Sequence, residues 1–200
     1  MKKRRNLFMY HDIVAALVSA GEARDINTYK HSARVSDMAE KIAYLMGLDK
    51  SSIEIVHIAA DLHDIGKIAI PDKILFKSEK LDDNEWKIMK SHTTTGYDIL
   101  EKLEEFEDIA KIVRHHHERW DGHGYPDRKA HTEIPLGARI IAIADSIDAM
   151  MSNRSYRNSL SSSACKIEIE KNAGIMYDPT ITTIVLEHWH EILNERKNNL

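Results

Sequence analysis

The sequence predicts a single all-α domain of about seven or eight helices. Three observations carry this reading. Apolar residues recur at spacings of three and four along nearly the whole chain. No run alternates for long enough to build a sheet. The 200 residues are 42% hydrophobic and 30% charged, the balance of one globular domain with a sizeable core.

The elements follow in order. Lys2-Lys3-Arg4-Arg5 opens a basic stretch, and residues 1–11 are expected to be a solvated tail before a domain over 12–200. His11-Asp12 interrupts what would otherwise resemble a secretory leader. Ile13, Leu17 and Ala20 share one helix face, as do Val35, Met38, Ala39, Ile42, Leu45 and Met46, with Gly47 as a stop. Ser51 and Glu54 have the spacing of a capping box, opening a helix with Ile55, Ile58, Ala59 and Leu62. Pro71 begins an expected loop. Asp82 or Asp83 can cap a helix through Leu100, with Trp86, Met89 and Ile99 as apolar positions. A helix from about Phe106 reaches His115-His116-His117. Residues 118–136 hold Gly122, Gly124, Pro126 and Pro135 and are expected to be a loop. Leu136 to Met151 is apolar enough to lie at the centre. Two further helices are expected, split near Gly174 and Pro179.

Net charge is −4, from 28 basic and 32 acidic residues, which argues against binding duplex nucleic acid. A phosphorylated ligand would need local cations or metal. The single cysteine, Cys165, excludes an intrachain disulfide and fits a reducing, cytoplasmic setting. No stretch has the length and apolarity for membrane insertion.

The unusual composition is 12 histidines, several of them grouped. His31, His63 with Asp64, His92, His115 to His117, and Asp145 are candidate ligands. Imidazole with carboxylate suits first-row metals such as iron, manganese or zinc. Successive helical residues point about 100° apart, so His63 and Asp64 cannot both face one ion squarely. A carboxylate can bridge two ions where an imidazole cannot, so Asp64 is the expected bridge. Asp145 lies within the apolar run Ile140-Ile141-Ala142-Ile143-Ala144, where a charge is costly unless paired or metal-bound. His115 is expected to point away, in a supporting or surface role. Asp61 and Asp148 are placed to orient histidines, and Glu118 and Asp121 to shape the loop. Trp120 is expected to pack, with stacking on a base as the alternative.

With these residues in view, the chain resembles the HD-GYP domains, a branch of the HD metal-dependent phosphohydrolases. The matching stretches are ARDINTYKHSARV (23–35), AADLHDIGKIAIPDKIL (59–75), WKIMKSHTTTGYDIL (86–100), IVRHHHERWDGHGYP (112–126) and EIPLGARIIAIADSIDAMMSNRSYR (133–157). The resemblance runs from about residue 12 to 190. It implies two divalent transition-metal ions, iron or manganese. One would lie among His31, His63, Asp64 and Asp145. The other would lie among Asp64, His92, His116 and His117. It also implies catalytic roles for Asp64 and Lys67, and substrate contacts from Lys67, Gly124, Tyr125, Pro126, Arg154 and Arg157. HD-GYP proteins are bacterial phosphodiesterases that open cyclic di-GMP to pGpG, some continuing to GMP. Two ions would acidify a bridging water for such a reaction.

The resemblance leaves open a homodimer and a signalling-protein partner through the GYP loop. The alternatives are an HD phosphohydrolase of another cyclic dinucleotide or nucleotide, and a non-catalytic interaction module. Three departures stand out. Asn27 replaces a glutamate that supports a third metal in some members, so two ions are expected. Arg128 and His131 replace the glycines usual after GYP, which implies a stiffer or differently placed loop. Ser155 replaces a common proline.

Overall fold

Helices follow the apolar repeat and are bounded by capping side chains and by Gly and Pro. The computed structural model describes residues 2–152 and 159–197, and of residues 2–11, 22, 26–29 and 195–197 the backbone alone. Among the described residues it holds eleven α-helices, three 3-10 turns and no strand.

The first helices are α1 (Lys2–Arg24), α2 (Ile26–Leu45) and α3 (Lys50–Asp61). α1 starts inside the segment expected to be a tail, because no Gly or Pro interrupts it there. The cap of α3 is Asp49 rather than Ser51. The Asp49 carboxylate accepts from the backbone N–H groups of Ser51 at 2.9 Å and Ser52 at 3.1 Å, and so outcompetes the hydroxyl two residues later.

After α3 a 3-10 turn spans Ile65–Ala69. The segment beyond Pro71, expected to be a loop, contains the short α4 (Asp72–Leu75). The expected helix to Leu100 is two: α5 (Asp83–Lys90), capped by Asp82 and Glu85 in a reciprocal box, and α6 (His92–Leu100). The break at Ser91 has a local cause. The hydroxyls of Ser91, Thr93 and Thr94 donate to carbonyls three residues back, at 2.7, 3.0 and 2.9 Å, competing with the helical ladder. Trp86, expected to be apolar packing, is instead half exposed because α5 lies at the periphery.

α7 (Glu107–His115) and α8 (Leu136–Met151) follow, α8 with the expected bounds. The C-terminal part holds three helices rather than two: α9 (Ser162–Lys171), α10 (Pro179–Glu187) and α11 (Trp189–Lys197). His188 is the C-cap of α10 and separates the last pair.

α8 is the axis of the core. Ile140, Ile141, Ile143, Ala144 and Ile147 are fully buried on it, and each such isoleucine contributes roughly 1.5–3 kcal/mol relative to exposure. Val35, Met38, Ala39 and Ile42 of α2, Val56 and Ala59 of α3, and Ile112 and Val113 of α7 join the same core. Among the described residues no helix is long and apolar enough to cross a membrane.

The loop after α7 carries strain. Arg128 and His131 have φ of 57° and 53°, the left-handed region that glycine favours, and a side chain there costs roughly 1–2 kcal/mol. Replacing Arg128 by Gly should raise stability by about 0.5–1 kcal/mol, allowing for glycine's extra freedom when unfolded. His131→Gly should gain less, because it removes the edge-on contact of His131 with Trp120 at 5.0 Å. Urea midpoints of the two variants would check both; a drop for Arg128→Gly would refute the strain.

Candidate metal centre

The centre forms where α3 stops, α6 begins and α7 stops, against α2 and α8. His31 comes from α2, His63 and Asp64 from just past α3, His92 from the start of α6, His116 and His117 from the end of α7, and Asp145 from α8. The sequence-predicted set is thus brought together from five segments. His63, Asp64, His92 and His116 are buried, and His31, His117 and Asp145 are mostly so.

Two groups of nitrogen and oxygen donors converge: His31 with His63 and Asp64, and His92 with His116 and His117. Within each group the donor atoms lie within 4.8 Å of one another. Asp64 lies between them. Its Oδ2 is 3.4 Å from His63 Nε2, and its Oδ1 is 3.5 Å from His92 Nε2. Oδ1 is buried and lacks a hydrogen-bond partner, an arrangement that is costly unless a cation completes it. His92 and His116 Nε2 atoms approach to 3.3 Å, a distance natural for two nitrogens directed at a common centre. The donor set therefore fits divalent metal.

The backbone sets the tautomers. His63 Nδ1 donates to Ala60 O at 2.6 Å, His92 Nδ1 to Met89 O at 2.8 Å, and His116 Nδ1 to Val113 O at 2.7 Å. Each ring then presents an unprotonated Nε2 to the centre. Burial pushes His92 and His116 down, and His117 down to about 3. His92, His116 and His117 are therefore neutral at physiological pH, as a metal ligand requires.

His31 is held differently. Its Nδ1 is 2.7 Å from Asp148 Oδ2, and its Nε2 is 3.1 Å from Asp145 Oδ1. Burial pushes its pKa down, but the two carboxylates outweigh burial and hold it up at about 9. Burial likewise favours neutral Asp145, yet His31 holds it well below the usual range. Arg34 grips Asp148 through Nε at 2.7 Å and Nη2 at 2.9 Å. The orienting role expected of Asp148 is therefore seen, whereas Asp61 pairs with His57 at 3.5 Å. The sequence reading missed Arg34. Its signal was spacing: Arg34 lies three residues after His31, on the same helix face.

Lys67 Nζ is 2.5 Å from Asp64 Oδ2. Burial favours the acid form of Asp64, but Lys67 and the surrounding imidazoles hold it ionised far below the usual range. Tyr125 stacks on His117 with ring centroids 4.9 Å apart. Burial, with Asp64 and Asp145 nearby, pushes its phenol far up, so it stays neutral. Gly124 presses on the backbone of Glu118 and Arg119, where a Cβ would overlap. Pro126 follows Tyr125 through a cis bond.

His115 points away from the centre. Its Nε2 donates to Asp127 Oδ2 at 2.9 Å, and Arg114 holds the same carboxylate through two bonds of 2.8 Å. Glu118 accepts from Asp127 N at 2.7 Å, and Asp121 pairs with Arg119 at 2.6 Å. The bonds from Arg114 and His115 tie the GYP loop to α7, and the other two brace the loop itself. Trp120 packs between His131 and Arg139, whose guanidinium lies 5.8 Å from its ring centroid. Arg154, Arg157 and Ser155, and the side chain of Asn27, lie outside the described residues.

A family model described as HD domain matches residues 22–181, the span that contains every one of these side chains. The chain belongs to the HD domain family, in its HD-GYP branch. This HD domain is 40% identical over 184 residues to 3'3'-cGAMP-specific phosphodiesterase 2 of Vibrio cholerae, covering 91% of this chain and 35% of that protein. It is 40% identical over 183 residues to a cyclic di-GMP phosphodiesterase of Thermotoga maritima, covering 90% and 50%. The HD domain thus spans half or less of the length of these curated relatives. Among solved structures it shares its fold with a cyclic GMP-AMP specific phosphodiesterase of V. cholerae, with a TM-score of 0.65, 19% identity, and coverage of 84% of this chain and 45% of that one. The HD domain of the L. monocytogenes phosphodiesterase PgpH in complex with cyclic-di-AMP gives a TM-score of 0.56 at 19% identity, covering 92% and 93%.

Proposed function

We propose that this HD domain is a metal-dependent phosphodiesterase that opens cyclic di-GMP to pGpG. The observation that carries the reading is Asp64, whose two oxygens face two separate groups of imidazoles. His31, His63 and Asp145 would complete one ion, and His92, His116 and His117 the other, with Asp64 shared. Two bound divalent ions, iron or manganese, would supply Lewis acidity and a nucleophile at neutral pH. Asp64 would position that chemistry, and Lys67, against Asp64 Oδ2, would add positive charge where it develops on the reacting phosphate. Tyr125, neutral and stacked on His117, closes one side of the site. A cytoplasmic setting suits the one cysteine and the substrate class.

Protein prepared anaerobically and loaded with Fe(II) or Mn(II) should hold close to two ions per chain and release pGpG from cyclic di-GMP. Near three ions would overturn the inference from Asn27. A second reading, hydrolysis of 3'3'-cGAMP, rests on the 40% identity to the V. cholerae phosphodiesterase specific for it. Turnover of that dinucleotide alone would select the second reading. Metal-loaded protein inert toward every cyclic dinucleotide would leave an interaction module.

A pH dependence follows from His31. Without metal it is protonated at pH 7.5, because its pKa stands at about 9. Coordination needs its Nε2 lone pair, while the Nδ1 proton stays on the ring and is donated to Asp148. Metal binding should therefore release about one proton, and affinity should rise with pH up to about 9. Titration calorimetry in buffers of different ionisation enthalpy reads this directly; a buffer-independent enthalpy would contradict it.

A further inference from the structure

We infer that Lys90 is a substrate-binding residue that holds the second, non-reacting phosphate of a cyclic dinucleotide. This rests on the phosphodiesterase reading above and adds to it. The centre has two halves, each flanked by a lysine. Lys67 belongs to the half with His63, through Asp64 Oδ2. Lys90 belongs to the other half: its Nζ lies 5.2 Å from the centroid of Tyr125, whose ring stacks on His117. Lys90 also closes α5 two residues before His92, whose Nδ1 bonds to the adjacent residue, Met89. The lysine is thus tied to the same histidines by backbone and by ring contact.

Its charge state matters as much as its place. Lys90 is exposed, and among the described residues no carboxylate lies within ion-pair distance of it. Lys67, Lys77, Lys102 and Lys111 all have such partners. What Lys90 does touch is the face of Tyr125, a weak contact for a solvent-exposed cation. The ammonium is therefore positioned at the rim but available to an anion.

A cyclic dinucleotide carries two phosphodiesters. When one is at the metals, the other is still anionic and must sit near the rim. A charged hydrogen bond from Lys90 to it is worth roughly 1.5–3 kcal/mol, or about a 10- to 100-fold change in affinity.

The test compares a two-phosphate and a one-phosphate substrate on the same metal-loaded enzyme. The probes are cyclic di-GMP and bis(p-nitrophenyl) phosphate, assayed for wild type, Lys90→Ala, Lys90→Glu and Lys90→Arg. The ratio of kcat/KM for cyclic di-GMP to kcat/KM for the one-phosphate ester should fall about 10-fold in Lys90→Ala. The loss should come through KM, be larger in Lys90→Glu, and be largely rescued in Lys90→Arg. If Lys90 only supports Tyr125 and His117, both substrates suffer together and the ratio stays constant; that result overturns the inference, as does no change at all. A wild-type enzyme that opens no cyclic dinucleotide while cleaving the simple ester would instead overturn the reading on which it rests.

Discussion

Asp64→Ala should lower cyclic dinucleotide turnover by roughly 10³-fold or more and leave neither metal position fully occupied, while the helices stay folded. The effect is large because one carboxylate serves both halves. Its Oδ2 faces His63 and Lys67, and its Oδ1 faces His92. The fold should survive, because Lys67 is 27% exposed and can turn to solvent, limiting the cost to about 1–3 kcal/mol. Metal content, turnover and far-ultraviolet circular dichroism on one preparation would check all three statements. Retention of two ions per chain in the variant would remove Asp64 from the bridging position.

Gly66→Ala should destabilise the domain by about 3 kcal/mol or more and impair metal binding without touching a ligand. A Cβ at Gly66 would overlap His92 O and lie 2.6 Å from Gly96 N. Both are backbone atoms of α6, so no flexible side chain can yield. The missing Cβ is what lets the turn carrying Asp64 press against the helix carrying His92, and the 3.5 Å approach of Asp64 Oδ1 to His92 Nε2 depends on it. Gly21→Ala is the control: its nearest neighbour would be Ile65 Cδ1 at 4.0 Å, so in a helix it should be neutral or slightly stabilising. Chemical denaturation of metal-free protein separates the two. Equal stability of the Gly66 variant and wild type would show that the turn and α6 can part without loss.

Much of this was legible in the sequence because helical periodicity is local and the ligand motifs are ordered. The bounds of α8 followed from its apolar run, and the His and Asp residues named in advance do converge on one centre. The parts that were not legible depend on competition or distance. Asp49 wins the α3 cap by carboxylate chemistry that a pattern at Ser51 obscured. Hydroxyl bonds at Ser91, Thr93 and Thr94 split a helix whose apolar spacing continues unbroken. The Arg34–Asp148 link joins residues 114 apart, so the spacing of Arg34 from His31 marks the arginine but not its partner. The half-exposed Trp86 shows the reverse: helical spacing marks a face without saying whether anything covers it.

The tautomer locks have a consequence for how such a site can drift. For His63, His92 and His116 the partner of Nδ1 is a main-chain carbonyl. No single codon change removes a carbonyl, so the aim of these rings is insensitive to substitution around them. His31 takes its orientation from Asp148, a side chain, and Asp148 in turn from Arg34. Among these four histidines it is the one that a mutation remote in sequence can retune. Divergence in metal preference or affinity between descendants of this domain should therefore accumulate at Asp148 and Arg34, leaving the surroundings of the other three quiet.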